Sequence, residues 1–330
     1  MAIIQQRWLR GTLLLSTLWL LTSGNVLSCD FCNCIMGINP YYNGMNRIGL
    51  SLLYQQSHIP GGESLTPGSK VVGGNLLKIL HGGGTADDEG LTVEEYERRK
   101  TLELSWRYHL SRSVMVTALV PFVETQVTST GTLITRGLGD ATLLGHYVVE
   151  NLFSKQTPST LILGGGVTIP TGTNNLHNSQ GERIDNRLQP GSGAVGVAGE
   201  ILLTTPLDKW TTAIDLYGKV NSANSYGDRI GPSFSATATV NHDIYRNNPS
   251  NFGVVGIGGL RSEIAGQDNL AGTTDPTSGS ETLWVNLGGE IVYHQFKLEA
   301  STLLPVAQRR EPGGADEDIR LHVGLRYEFW

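Results

Sequence analysis

The sequence predicts an all-β fold, a transmembrane antiparallel β-barrel of about twelve strands with long loops on one side and short turns on the other. Three features point to it. Apolar and polar residues alternate at period two in many segments. The connections between those segments are short and long by turns. Mean hydropathy is slightly negative, whereas a bundle of membrane helices would be strongly apolar. Glycine is frequent, 42 of 330 residues, and charged residues make up only 16%. Glycine lets strands bend and approach closely.

The C-terminal stretch shows the alternation most clearly. Ile319, Leu321, Val323, Leu325, Tyr327 and Phe329 share one face, and Arg320, His322, Gly324, Arg326 and Glu328 share the other. A strand with lipid on one side and water on the other has this pattern. Trp330 lies one residue beyond it.

Taken in order, periodicity begins at Arg47, with Ile48, Leu50, Leu52 and Tyr54 on the apolar face. Residues 57–99 are polar and glycine-rich and read as a long outer loop; Thr92 to Lys100 make either a helical turn or an extension of the next strand. The second strand, Thr101 to His109, puts Leu102, Leu104, Trp106 and Tyr108 outward. The third starts at Val114, and 124–137 reads as a loop. The fourth carries Leu143, Gly145, Tyr147 and Val149, and the fifth runs near 159–169. After the polar loop 170–191 come strands at about 194–204, 210–219, 233–243 and 251–261. Loop 262–281 precedes the tenth strand, 283–293. The eleventh starts at Phe296, and loop 306–317 leads into the last. An even count puts both ends on the periplasmic side, and the last strand closes the barrel on the first.

The N-terminus reads as a secretory signal peptide, residues 1–28. Arg7 and Arg10 precede a leucine-rich run too short to span a membrane, and Val26 and Ser28 suit cleavage before Cys29. Residues 29–46 then form a cysteine-rich periplasmic segment ahead of the barrel, 47–330. A chain that leaves the cytoplasm with these strands is expected in the outer membrane, with lipid as its surroundings. The net charge of −6 argues against a nucleic-acid partner.

Two groups of residues carry chemistry. Cys29, Cys32 and Cys34 are the only cysteines. Close thiolates bind soft metals, an exported chain allows a disulfide, and Cys29 is placed for lipidation; all three readings stay open. No Cys-x-x-Cys-His is present, so covalent haem attachment is not supported. The second group is the inward charges: Glu103, Arg107, His109, Asp140, His146, Glu200, Asp215, Lys219, Asp243, Glu290, Lys297, Glu299, Arg320, His322, Arg326 and Glu328. They either pair across strands and fill the lumen or form a selectivity lining. Both signs occur, so no ion preference is readable. Neither Gly-x-Ser-x-Gly nor a phosphate-binding Gly-rich loop with Lys-Ser/Thr appears, and no catalysis is expected.

Several short motifs follow one another in a set order: Gly137-Leu138-Gly139-Asp140, Ile169-Pro170-Thr171-Gly172, Leu188-Gln189-Pro190-Gly191-Ser192-Gly193, Ser301-Thr302-Leu303-Leu304-Pro305 and the final Gly-Leu-Arg-Tyr. Over roughly 100–330 the chain resembles outer-membrane transporters of the phenol-degradation MetA-pathway family. That resemblance implies a barrel channel, by analogy with fatty-acid and aromatic-hydrocarbon channels, and leaves the solute unassigned. Ala194 stands where an aromatic is expected after Gly-x-Gly. The ending is similar to the terminal strand of bacterial outer-membrane barrels, whose last aromatic guides assembly, which implies the barrel assembly machinery as a partner. The expectation is a passive channel for small solutes, with a metal- or haem-associated binding protein using the cysteine cluster as the alternative.

Overall fold

The computed structural model describes residues 45–59, 95–128, 131–153, 158–247, 249–310 and 314–329. The signal peptide, the cysteine segment, most of the first long connection and Trp330 lie outside the described residues.

Among the described residues fifteen strands follow one another: β1 (Asn46–Ile59), β2 (Glu95–His109), β3 (Val114–Thr128), β4 (Thr132–Leu138), β5 (Ala141–Val149), β6 (Thr160–Ile169), β7 (Gly196–Leu207), β8 (Trp210–Asn221), β9 (Ser233–Asn247), β10 (Phe252–Ala265), β11 (Asn269–Leu270), β12 (Thr273–Thr274), β13 (Ser280–Tyr293), β14 (Phe296–Arg310) and β15 (Asp316–Phe329). All but β4, β11 and β12 form a ring of twelve antiparallel strands. Its seam is the β1–β15 pair, Asn46 opposite Phe329 and Leu52 opposite Val323, and the β2–β3 pair completes the circle. Closure matters because an open edge would leave backbone amides unsatisfied in hydrocarbon.

The strands run past several expected boundaries. The stretch from Glu95 extends β2 rather than making a helical turn. The expected loop 124–137 is largely a hairpin, with β3 continuing to Thr128 and pairing with β4. β10 likewise reaches Ala265, β14 reaches Arg310 and β15 begins at Asp316. These extensions rise above the apolar band, so their outward faces lose the apolar alternation on which the boundaries were placed.

On the outer wall the alternation holds. Ile48, Leu50, Leu104, Tyr147, Val197, Ile214, Leu287 and Leu325 are all exposed, and apolar side chains continue around the ring. A continuous belt of this kind is matched to lipid rather than water. Aromatic side chains gather at the end bearing the short turns: Phe296 and Tyr327 lie 5.1 Å apart, Tyr327 and Phe329 6.1 Å. Two of the short turns have two residues, Asp208-Lys209 and His294-Gln295. Asp208 and His294 adopt φ of +56° and +53°, the left-handed start that matches strand twist in a tight hairpin.

The two faces make a direct test. Leu287→Arg places a charge in lipid and is expected to cost about 2–4 kcal/mol near the midplane. Arginine at the outward Ala238 should behave alike, and at the inward neighbours Thr237 and Asn286 it should cost much less. The measurement is the urea midpoint of the folded band on unheated gels. Equal loss on both faces would contradict a lipid-facing wall.

Candidate functional site: the barrel interior and its loop latch

The interior has two unlike walls. On β10, β13, β14, β15, β1 and β2 the inward residues include most of the buried charges, many of them paired with one another. Glu263 accepts hydrogen bonds from Arg261 Nε at 2.6 Å, Arg320 Nη1 at 3.0 Å and Trp284 Nε1 at 3.1 Å. The Arg320 guanidinium also covers the Trp284 ring, 4.2 Å from its centroid. Nearer the short turns Arg326 pairs with Glu290 and, at 3.0 Å, with Glu299. Lys297 pairs with Glu328 at 3.0 Å, and His322 Nδ1 lies 4.0 Å from Glu299. Mutual neutralisation lowers the cost of burying the charges that pair, whereas both carboxylate oxygens of the buried Glu103 lack a hydrogen-bond partner.

The wall formed by β3 and β5–β8 is mainly apolar. Met115, Val148, Ile162, Leu202 and Ala213 form one buried cluster, and Leu144, Ala198 and Tyr217 another. Between these clusters sits a polar pair, His146 Nε2 and Glu200 Oε2 at 2.7 Å, with side chains 0% and 1% exposed. The pair bridges β5 and β7 across the intervening β6, where Gly164 is opposite both residues. A Cβ at Gly164 would lie 2.6 Å from His146 Cδ2, so glycine is what lets the imidazole cross.

The remaining expected residues distribute around these walls. Glu103 and Arg107 are buried on β2. The His109 backbone N–H donates to Asn46 Oδ1 at 2.7 Å, at the short-turn rim. Asp243 pairs with Arg246 at 2.9 Å beside a cavity of about 470 Å³ at that rim, also lined by Lys209, Glu290, Lys297 and Glu328. Lys219 and Asp140 line a smaller cavity of about 70 Å³ at the opposite end.

Asp140 is also a latch. Its Oδ1 accepts from the Gly172 N–H at 2.9 Å, and its Oδ2 from Ser192 N–H and Oγ at 2.8 and 2.6 Å. The backbones of 172 and 191 touch: a Cβ on either would come within 2.7 Å of the other's Cα. Three of the motifs noted above therefore meet at one point, and their glycines are there because backbone packs on backbone. The loop thus held reaches its neighbours. Arg183 pairs with Asp228 at 2.7 Å, Arg187 approaches Asp275 at 3.4 Å, and Asn224 Nδ2 donates to Ser192 O at 3.0 Å. Asp140→Ala strips partners from two backbone N–H groups, each worth about 1–3 kcal/mol when orphaned. Limited proteolysis between 170 and 195 should accelerate in that variant while the barrel stays folded. Unchanged cleavage would mean the loop is held elsewhere.

Sequence reasoning missed Glu263 and Arg261 as a pair, because Ser262 and Glu263 read as the start of a polar loop. It also left Trp284, Met115, Leu144, Ile162 and Leu202 unnamed, because an inward apolar side chain shows no contrast with its outward neighbours. The cysteines Cys29, Cys32 and Cys34 lie outside the described residues. Among those described, no group of three or more His, Cys, Asp or Glu is placed to hold a metal.

A closed ring of twelve antiparallel strands, apolar outside and ion-paired inside, defines a transmembrane β-barrel. The chain belongs to the family described as "Putative MetA-pathway of phenol degradation", which it matches over residues 66–314. It is similar in structure to an outer membrane channel from Pseudomonas putida F1, with TM-score 0.59 and 15% identity, covering 88% of this chain and 97% of that one. The translocator domain of autotransporter NalP from Neisseria meningitidis gives TM-score 0.44 and 10% identity over 87% and 90% of the two chains. A FadL homologue from Pseudomonas aeruginosa gives 0.40 and 9% over 87% and 91%. No curated protein sequence matches the chain.

Proposed function

We propose that this protein is an outer-membrane channel through which small solutes, apolar or aromatic in part, pass without catalysis. The observation that carries the reading is the interior with two walls, one ion-paired and one apolar, inside a closed barrel. A solute with an apolar body gains by leaving water along the β3 and β5–β8 wall, and the charged wall keeps water and polar groups close by. The solved barrel that matches it best among those named above is itself a channel, which supports the same reading. The short-turn end, where Asn46 and Phe329 meet, is the periplasmic one in this reading, as in barrels with short periplasmic turns. Residues 1–28 serve as the export signal, and β15 is the segment offered to the assembly machinery.

Planar-bilayer recording with the refolded barrel tests this. Stepwise conductance is expected, together with uptake of small aromatic solutes in liposomes loaded with the protein. A silent, correctly folded barrel would overturn the channel reading.

A further inference from the structure

We infer that the outward face of β2, β3 and β4, at the long-loop end of the wall, binds the phosphorylated headgroup of an outer-leaflet glycolipid. The inference rests on the reading of the short-turn end as periplasmic and is independent of conduction.

The apolar belt stops at one row on these strands. Leu102 is opposite Phe122 and Phe122 opposite Leu138, and all three are exposed. The next row toward the long loops is Lys100, Glu124 and Arg136, and the row beyond it is Arg98, Gln126 and Ile134. Side chains alternate along a strand, so both rows share the outer face with the belt. The residues between them, Thr101, Thr125 and Thr135, are buried on the inner face.

Three cations stand on this face against one carboxylate. Lys100 Nζ pairs with that carboxylate, Glu124, at 3.0 Å. The nearest other is Asp318, across β1; it is engaged by His58 at 2.6 Å and by Gln56 at 3.1 Å. Arg98 and Arg136 are exposed, and among the described residues no carboxylate pairs with either. They are two strand spacings and one two-residue step apart, about 12 Å between Cβ atoms. Two long arginine side chains can span that gap around a headgroup bearing more than one phosphate.

The place of the patch decides for a lipid. Leu102, Phe122 and Leu138 lie directly against the basic rows, so a lipid seated there keeps its chains on the belt. Ile134, 56% exposed, stands among the charged residues and suits the boundary between chain and headgroup. The guanidinium fork matches phosphate bidentately, and basic residues at the hydrocarbon edge hold anionic lipid. The feature is local: on β7, β8 and β9 the outward residues nearest the long connections are Val197, Val220 and Phe234, which offer phosphate no donor.

The test is lipid retention. The folded, detergent-solubilised barrel is mixed with diphosphoryl lipid A, with the same lipid stripped of phosphate, or with phosphatidylethanolamine, and bound lipid is measured by native mass spectrometry. Diphosphoryl lipid A should be held most tightly. Arg98→Gln with Arg136→Gln, both outside the lumen, should weaken it at least about tenfold and keep the folded band on unheated gels. Arg309→Gln, which removes an exposed cation of β14 opposite Glu281, should leave it unchanged. Should the double variant not fold, Arg136→Gln alone, on a strand that pairs only with β3, carries the same expectation in smaller measure. Equal retention of the dephosphorylated lipid, retention indifferent to the arginines, or full displacement by equimolar inorganic phosphate would overturn the site. Loss of self-association in the double variant, with lipid retention unchanged, would make the face a contact between copies and overturn it too. Protease added to intact cells separates this from the reading beneath it. Cleavage between 170 and 195 with arginine-independent lipid retention removes the patch alone; protection of that loop, even in Asp140→Ala, removes the orientation and the outer-leaflet occupant together.

Discussion

Deleting Tyr327 to Trp330 is expected to keep the protein out of the membrane. Phe329, Glu328 and Tyr327 pair with Asn46, Arg47 and Ile48 across the seam. On the other side Tyr327 pairs with Phe296, and Glu328 holds Lys297 at 3.0 Å. Without them both neighbouring strands expose backbone groups at the rim of the hydrocarbon, each costing several kcal/mol. The aromatic cluster of Phe296, Tyr327 and Phe329 goes with them. Cell fractionation and heat-modifiable migration on gels give the readout: truncated chain accumulating in the periplasm and no compact band. Insertion at the normal level would show that this end of the seam is dispensable.

Replacing Glu263 by alanine is expected to be the most destabilising single change in the charged wall, at about 3–5 kcal/mol. One carboxylate answers Arg261, Arg320 and the Trp284 N–H, and its loss leaves two guanidinium groups in a buried setting with their closest acceptor gone. Glu263→Gln should be intermediate, because the amide oxygen still accepts while its NH₂ faces the arginines. Removing Arg320 as well, as Glu263→Ala with Arg320→Met, should recover part of the loss, since an apolar replacement of a buried pair is often tolerated. Urea midpoints of the folded band measure all three. Additive losses in the double variant would show that the two side chains are not coupled.

Much of the fold was legible because lipid imposes one requirement on every strand. Outward residues must be apolar, and where water or charge lies inside, the contrast repeats every second residue. Ile319 to Phe329 and the 233–243 stretch show it plainly, and the structure keeps the expected phase in both. Boundaries were legible only to the edge of the hydrocarbon, so β3 past Phe122 and β10 past Arg261 read as loop while they continue as strand. The contrast also vanished wherever the interior is apolar. In 160–169 both faces carry Leu, Ile or Val, and nothing in the sequence says that Ile162 looks inward.

By itself the sequence determined the architecture: twelve crossings, the phase of those with a polar inner face, the side on which the connections are long, and closure of the last strand on the first. These follow from period-two alternation and from the cost of an unpaired edge in lipid, both of them local or nearly so. Only the tertiary structure decided which inward residues meet. His146 reaches Glu200 over Gly164, 54 residues apart in the chain for the bonded pair. Arg320 reaches Glu263, 57 residues away, and Asp140 gathers Gly172 and Ser192. Such pairs depend on strand stagger and barrel curvature, which bring together side chains on non-adjacent strands. That geometry comes from closing the ring as a whole and is written in no single segment of the chain.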